Sequence, residues 1–295
     1  MITSFKELIE GNTESEEKII AVVAPNNLET LAVIAAAEEK KMGKFILIGD
    51  QTKIETVLQK HSLVVKASII DERNTSLAAE RAVELVHQKK AQAIMKGALH
   101  SAEFLKPILN TEKGLNIGKR VTSISLFEDD NKLRMVTDVA ITVEPDLKTK
   151  KEIIENAVFL AHKLGNPKPK VAVLASLEVV NLKMQDTVDA AILSKMNDRG
   201  QIKGCVVDGP FAYDNAVSES VAKQKGLTGE VAGQADILLV PNLTVGNVLV
   251  KALVHTAKKT QISATIGAGV PLVFTSRTET LEGKLLAIAL ASYIS

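Results

Sequence analysis

The chain has 295 residues, 46% of them hydrophobic and 24% charged, and 36 Lys plus Arg stand against 35 Asp plus Glu. That length predicts two domains, and the net charge of +1 provides no general attraction to nucleic acid or anionic lipid. Two Tyr, seven Phe and no Trp leave little for base stacking, and the single cysteine excludes an intrachain disulfide or a multi-cysteine metal site.

The N-terminal stretch MITSFKELIEGNTESEEK is charged and lacks the apolar core of a signal peptide, and no apolar run reaches membrane-spanning length. A cytoplasmic protein without a membrane partner is therefore expected. Short apolar runs then alternate with longer amphipathic ones. IIAVVA (19–24), KFILIGD (44–50), VVKASIID (64–71) and AQAIMKG (91–97) read as buried strands. LETLAVIAAAEEKK and LAAERAVELVHQKK, with apolar residues three and four apart, read as helices. This βαβα order predicts an α/β fold with mainly parallel sheets covered by helices.

VTSISLFEDDNKLRMVTDVAITVEPDL breaks the rhythm. Two extended runs around Glu128-Asp129-Asp130-Asn131 predict an antiparallel hairpin, and Pro145 ends the second run. A helix is expected from Leu147 to Leu164, then a second series of strands at 170–176, 204–210, 235–242 and 270–276. The boundary between domains is placed near residue 143. Cys205 lies in the apolar run KGCVVDG and is expected to be a buried, inert thiol. The last helix, LEGKLLAIALASYI, is apolar on nearly all sides, which suits burial between sheet and partner elements, part of it in a contact between subunits of a homo-oligomer.

Several strand ends carry polar or small residues where a helix begins. Gly97, His100 and Ser101 follow one strand, and a helix N-terminus with free N–H groups suits an anion. The plain alternative is an ordinary turn, with Ser101 as N-cap and His100 solvated. Asp208-Gly209-Pro210 ends another strand, with Asp214 as ligand residue or cap; Asn242, Gly246 and Asn247 open the next helix, and Asp138 stands at the crossing between domains. In an α/β protein such ends share one rim, where ligands bind. In PLVFTSRTETLEGK (271–284), Ser276 either caps the final helix in an S-x-x-E box with Glu279, or sits beside Arg277 to hold a phosphate. No dinucleotide fingerprint, P-loop, nucleophile elbow or metal-ligand spacing is present.

From about residue 90 to the end, the chain resembles the phosphate acetyl/butyryltransferases, most closely their butyryl branch. The likeness rests on KGALHSAEFLKP, MVTDVAITVEP, KMQDTVDAAILSKMNDRGQIKGCVVDGPFAYDNAVSE, ADILLVPNLTVGN and VFTSRTETLEGKLLAIALA. It implies an enzyme moving a butyryl or similar short acyl group between coenzyme A and inorganic phosphate. The implied fold is two α/β domains of isocitrate dehydrogenase type, with the active site in the cleft between them. In that fold the C-terminal segment returns to the first domain, giving 1–142 plus 271–295 as one domain and 143–270 as the other. Acyl-CoA and phosphate are the implied partners, and no cofactor or metal is expected. Ser276 and Arg277 match a catalytic Ser-Arg pair. The acetyl-type enzymes carry an aspartate seven residues after that serine as proposed thiol base; here the position is Gly283, so no base transfers. Lys106 falls where those enzymes have an arginine for coenzyme A, with the charge but not the planar fork. The expected substrate-binding set is Gly97, His100, Ser101, Lys106, Asp138, Asp208, Gly209, Asp214, Asn242, Gly246 and Asn247. Two alternatives stay open: a metal-dependent hydroxyacid dehydrogenase on the related fold, and a non-catalytic protein that binds coenzyme A or phosphate.

Overall fold

In the computed structural model, the structure describes residues 1–13, 17–129, 132–275 and 279–295. The chain forms two compact units: Phe5–Lys119 with Ile262–Ser295, here the first, and Met1–Ser4 with Arg120–Gln261, the second. The division falls at 119/120 and 261/262, not at 142/143 and 270/271. The reason is strand pairing, because the hairpin hydrogen-bonds to a strand of the second unit through Met135↔Ile237 and Thr137↔Leu239.

The first unit begins α1 (Phe5–Thr13), β1 (Ile19–Val23), α2 (Leu28–Glu39), β2 (Lys44–Gly49) and α3 (Gln51–Lys60). It continues β3 (Ser68–Asp71), α4 (Thr75–His87), β4 (Ala93–Lys96) and α5 (Ser101–Ile108). Within this unit the strand order is β3-β2-β1-β4, followed by two strands from the end of the chain. The β1, β2, β3 and β4 pairings are all parallel. Apolar residues run uninterrupted along β1 because both its faces are covered. Ile20 and Val22 meet the cluster containing Leu31 and Ile34 of α2, while Ala21 and Val23 meet Ala78 and Ala82 of α4. Polar caps start the helices just past the strands: the side chains of Asn27, Asp50 and Asn74 accept from Thr30, Lys53 and Leu77 N–H groups. Expected strand residues 64–67 lie outside β3. Val64 is exposed, and only Ser68–Asp71 finds partners on β2.

The second unit holds β5 (Thr122–Asp129), β6 (Lys132–Thr137), α6 (Leu147–Lys163), β7 (Lys170–Leu174), α7 (Gln185–Asp198) and β8 (Val206–Phe211). Then come α8 (Tyr213–Val217), α9 (Glu219–Gln224), β9 (Ile237–Leu239) and α10 (Leu243–His255). Its strand order is β5-β6-β9-β7-β8, with β5 and β6 antiparallel as expected and the other pairs parallel. Val136, Leu174, Phe211 and Leu238 build one side of its core. The chain then completes the first unit with β10 (Gln261–Ile266), β11 (Leu272–Val273) and α11 (Leu281–Ile294). β10 is absent from the strands expected above, although QISATI alternates polar with apolar residues in the pattern of a half-buried strand. β11 lies parallel to β4 through Met95↔Val273. The apolarity of α11 is consumed within its own unit, where Leu285, Ile288 and Ala289 pack into the same cluster as β1 and α2. No helix among the described residues is long and apolar enough to cross a membrane.

Candidate active site

In the first unit, the C-terminal ends of β1, β4 and β11 lie side by side, because Val23 pairs with Lys96 and Met95 with Val273. Gly97 follows at that rim and donates its N–H to the Val23 carbonyl at 2.8 Å. A Cβ there would stand 2.5 Å from the Ala24 carbonyl oxygen, so only glycine allows the two chains to cross. Above this crossing is a cleft of about 320 Å³, lined by Asn27, Glu29 and Thr30 of the α2 start, Lys96 and Gly97, and Thr275 after β11. Lys284 of α11 forms part of its wall. It is buried, and its ammonium is ion-paired with Glu29. The Lys96 ammonium lies 5.7 Å from the Phe274 ring centroid, a cation–π contact. Two ammonium groups, one carboxylate and the positive end of α2 make this cleft suited to an anion.

The other expected residues of this unit lie along α5. His100, not Ser101, is the N-cap residue, and its side chain makes no cap bond; Ser101 is the first helical residue. Lys106 is exposed in the last turn. The candidates Ser276 and Arg277 lie outside the described residues. The capping box proposed for Ser276 and Glu279 likewise involves a residue outside those described; α11 takes Thr280 as its N-cap, whose side chain accepts from Gly283 N–H.

In the second unit, Asp138, Asn242 and Gly246 come together where β6 and β9 end. Val240 N–H donates to the Thr137 carbonyl at 2.9 Å. The Asp138 carboxylate is buried and accepts from the N–H groups of Ser123, Ala140, Ile141 and Thr142, at 3.1 to 3.2 Å. It is thus committed to the turn after β6 rather than turned toward a ligand. Asn242 caps α10 by accepting from Val245 N–H, so the helix opens there, earlier than Gly246-Asn247. Gly246 is needed for contact, since a Cβ would lie 2.8 Å from the Asp138 carbonyl oxygen. Asn247 is half-buried one residue further along α10.

Asp208 and Gly209 sit inside β8, not at its end, because Ala172↔Asp208 precedes Leu174↔Phe211 in the register. Burial pushes the Asp208 carboxyl above the usual range, against the Gly209 N–H at 2.8 Å and the Ser194 hydroxyl, which favour the charged form. Asp214 is in the first turn of α8, with Ala212 as N-cap, and its carboxylate lies 3.3 Å from Lys225, which also reaches Glu178 at 3.4 Å. The expected strand-end residues therefore divide between the units, with Gly97, His100, Ser101 and Lys106 in the first and Asp138, Asp208, Gly209, Asp214, Asn242, Gly246 and Asn247 in the second.

Sequence reasoning missed Glu29, Lys96 and Lys284. One signal was readable: Lys284 is a lone cation in the buried stretch of an apolar helix, where a charge is retained only with a partner. No group of three or more His, Cys, Asp or Glu that could hold a metal ion occurs among the described residues.

The family model described as phosphate acetyl/butaryl transferase matches residues 66–292. The chain is 43% identical to the phosphate butyryltransferase of Clostridium acetobutylicum, over all of this chain and 99% of the relative. It is 41% identical to the phosphate butyryltransferase of Clostridium beijerinckii, with the same coverage. Among solved structures, a branched-chain phosphotransacylase from Enterococcus faecalis is similar, with a TM-score of 0.84, 28% identity, and coverage of 94% of this chain and 98% of the other. A family match that takes in the Gly97 crossing, both sets of strand ends and most of α11, with relatives alike over their whole length, leads to one assignment: the chain belongs to the phosphate acetyl/butyryltransferase family.

Proposed function

We propose that this protein transfers a short acyl group, butyryl or similar, between coenzyme A and inorganic phosphate. The observation that carries the reading is full-length likeness to phosphate butyryltransferases, joined to a cation-bearing cleft at the strand ends. The chemistry is direct. A phosphate oxygen attacks the thioester carbonyl, a C–O bond forms, and the tetrahedral oxyanion collapses with loss of the thiolate, which takes up a proton. Phosphate is already nucleophilic, so no acyl-enzyme is needed, and holding both substrates together supplies much of the rate. In this reading Arg277 grips phosphate oxygens through its fork and Ser276 donates to the oxyanion. No step calls for a metal or nicotinamide.

The test is release of free thiol from butyryl-CoA on addition of phosphate, with chelator present and across acyl chain lengths. Phosphate-dependent release, best with four-carbon or branched chains, is expected. Activity only with a divalent ion or a nicotinamide cofactor would refute the assignment.

A cytoplasmic homo-oligomer completes the proposal. The lone buried Cys205 suits a reducing compartment. An apolar surface supports self-association: Val179, Val180 and Leu182 after β7 are 61%, 52% and 87% exposed. Sedimentation of wild type beside Leu182→Asp tests it; an unchanged monomer in both would end the idea.

A further inference from the structure

Lys284 is the part of the first unit that packing does not explain. Its helix neighbours Leu285, Leu286, Ala287 and Ile288 are all buried and apolar. A Met or Leu at the same place would fill the wall without desolvating a charge, and buried ion pairs are often replaceable by apolar groups with no loss of stability. The pair it makes is lopsided: the Lys284 side chain is 8% exposed, whereas that of Glu29 is 50% exposed. The cation is thus held deep at the wall of the cleft, and its counter-ion stands at the open side, where water can take over its solvation. Lys96 brings a second ammonium to the same cleft, and Thr275 leads directly into Ser276 and Arg277.

We propose that Lys284 is a further substrate-contacting residue, one that holds the phosphoryl oxygens of inorganic phosphate or acyl phosphate, and that Glu29 is the counter-ion it exchanges for them. This rests on the acyl-transfer reading above. A lysine suits the exchange, since three donors on a flexible stem can swing from one oxyanion to another. Glu29 satisfies the ammonium while the cleft is empty. On phosphate entry, the carboxylate is released to solvent and the dianion takes its place. Lys96 and the α2 N-terminus add attraction for the incoming charge.

The experiment compares Lys284→Met, Lys284→Gln and Glu29→Gln. Loss of one hydrogen bond to a charged ligand raises KM for phosphate roughly 10- to 100-fold in both Lys284 variants, with the KM for acyl-CoA nearly unchanged. Glu29→Gln removes the competitor, so its phosphate KM falls to or below the wild-type value. Phosphate KM within twofold of wild type in the Lys284 variants overturns the role of Lys284. A rise in Glu29→Gln matching that of the Lys284 variants overturns the exchange. A second readout does not need turnover: inorganic phosphate raises the Tm of wild type and Glu29→Gln, and the rise is lost in both Lys284 variants. If that pattern appears in a chain with no acyl transfer, the activity reading fails and the phosphate site stands. If transfer is normal and the Lys284 variants keep the phosphate-dependent Tm rise, the inference fails alone.

Discussion

Thr280 Oγ1 accepts a hydrogen bond from the Gly283 N–H at 3.1 Å, and this contact sets the start of the last helix. The cap used by α11 is therefore Thr280.

Cap and catalyst should therefore separate by mutation. Thr280→Ala is expected to lose about 0.5–2 kcal/mol of stability. Ser276→Ala is expected to keep the wild-type unfolding midpoint and lose about 10²- to 10³-fold in kcat. Urea unfolding and thiol release on both variants check this; a Ser276→Ala protein with normal turnover would remove the serine from the chemistry.

Arg277→Lys keeps a positive charge and loses the planar fork. We expect a higher KM for phosphate and a lower kcat, with an unchanged Tm. Steady-state kinetics with phosphate as the varied substrate decide it, and unaltered phosphate dependence would place Arg277 outside the site.

Asp138 was expected to bind substrate, yet its carboxylate is spent on four backbone N–H groups. Asp138→Ala should lower stability by on the order of 3 kcal/mol, because donors around a buried position are left without acceptors. Denaturant midpoints give the answer. A protein of near wild-type stability with a raised acyl-CoA KM would restore the ligand-binding role.

Burial, aided by the negative charge of Glu155, pushes the Cys205 thiol up to about 11 from an ordinary value of 9.0. The folded chain therefore holds its proton after the unfolded chain has lost it. The resulting stabilisation is complete below pH 9, and it disappears as pH rises through about 11. Cys205→Ala should keep full turnover and show a shallower loss of stability across that range. Equal pH profiles, or an acyl group trapped on the thiol, would contradict this.

Local pattern determined much of this protein. Apolar runs with a period of two or none, and helical runs with apolar residues three and four apart, marked β1, β2, β4, the hairpin and α6, because the spacing of apolar residues follows whether an element buries one face or, as in β1, both. The family likeness was equally legible, since its motifs are continuous in the chain. Strand limits were not: Val64 is as apolar as its neighbours, but no strand lies beside it to pair with. Nor was the division of the polar strand ends between two units, which depends on which strand hydrogen-bonds to which. Lys284 and Glu29 are 255 positions apart. Only the packing of α2 and α11 into one cluster brings a buried ammonium to an exposed carboxylate, and no pattern within either segment carries that meeting.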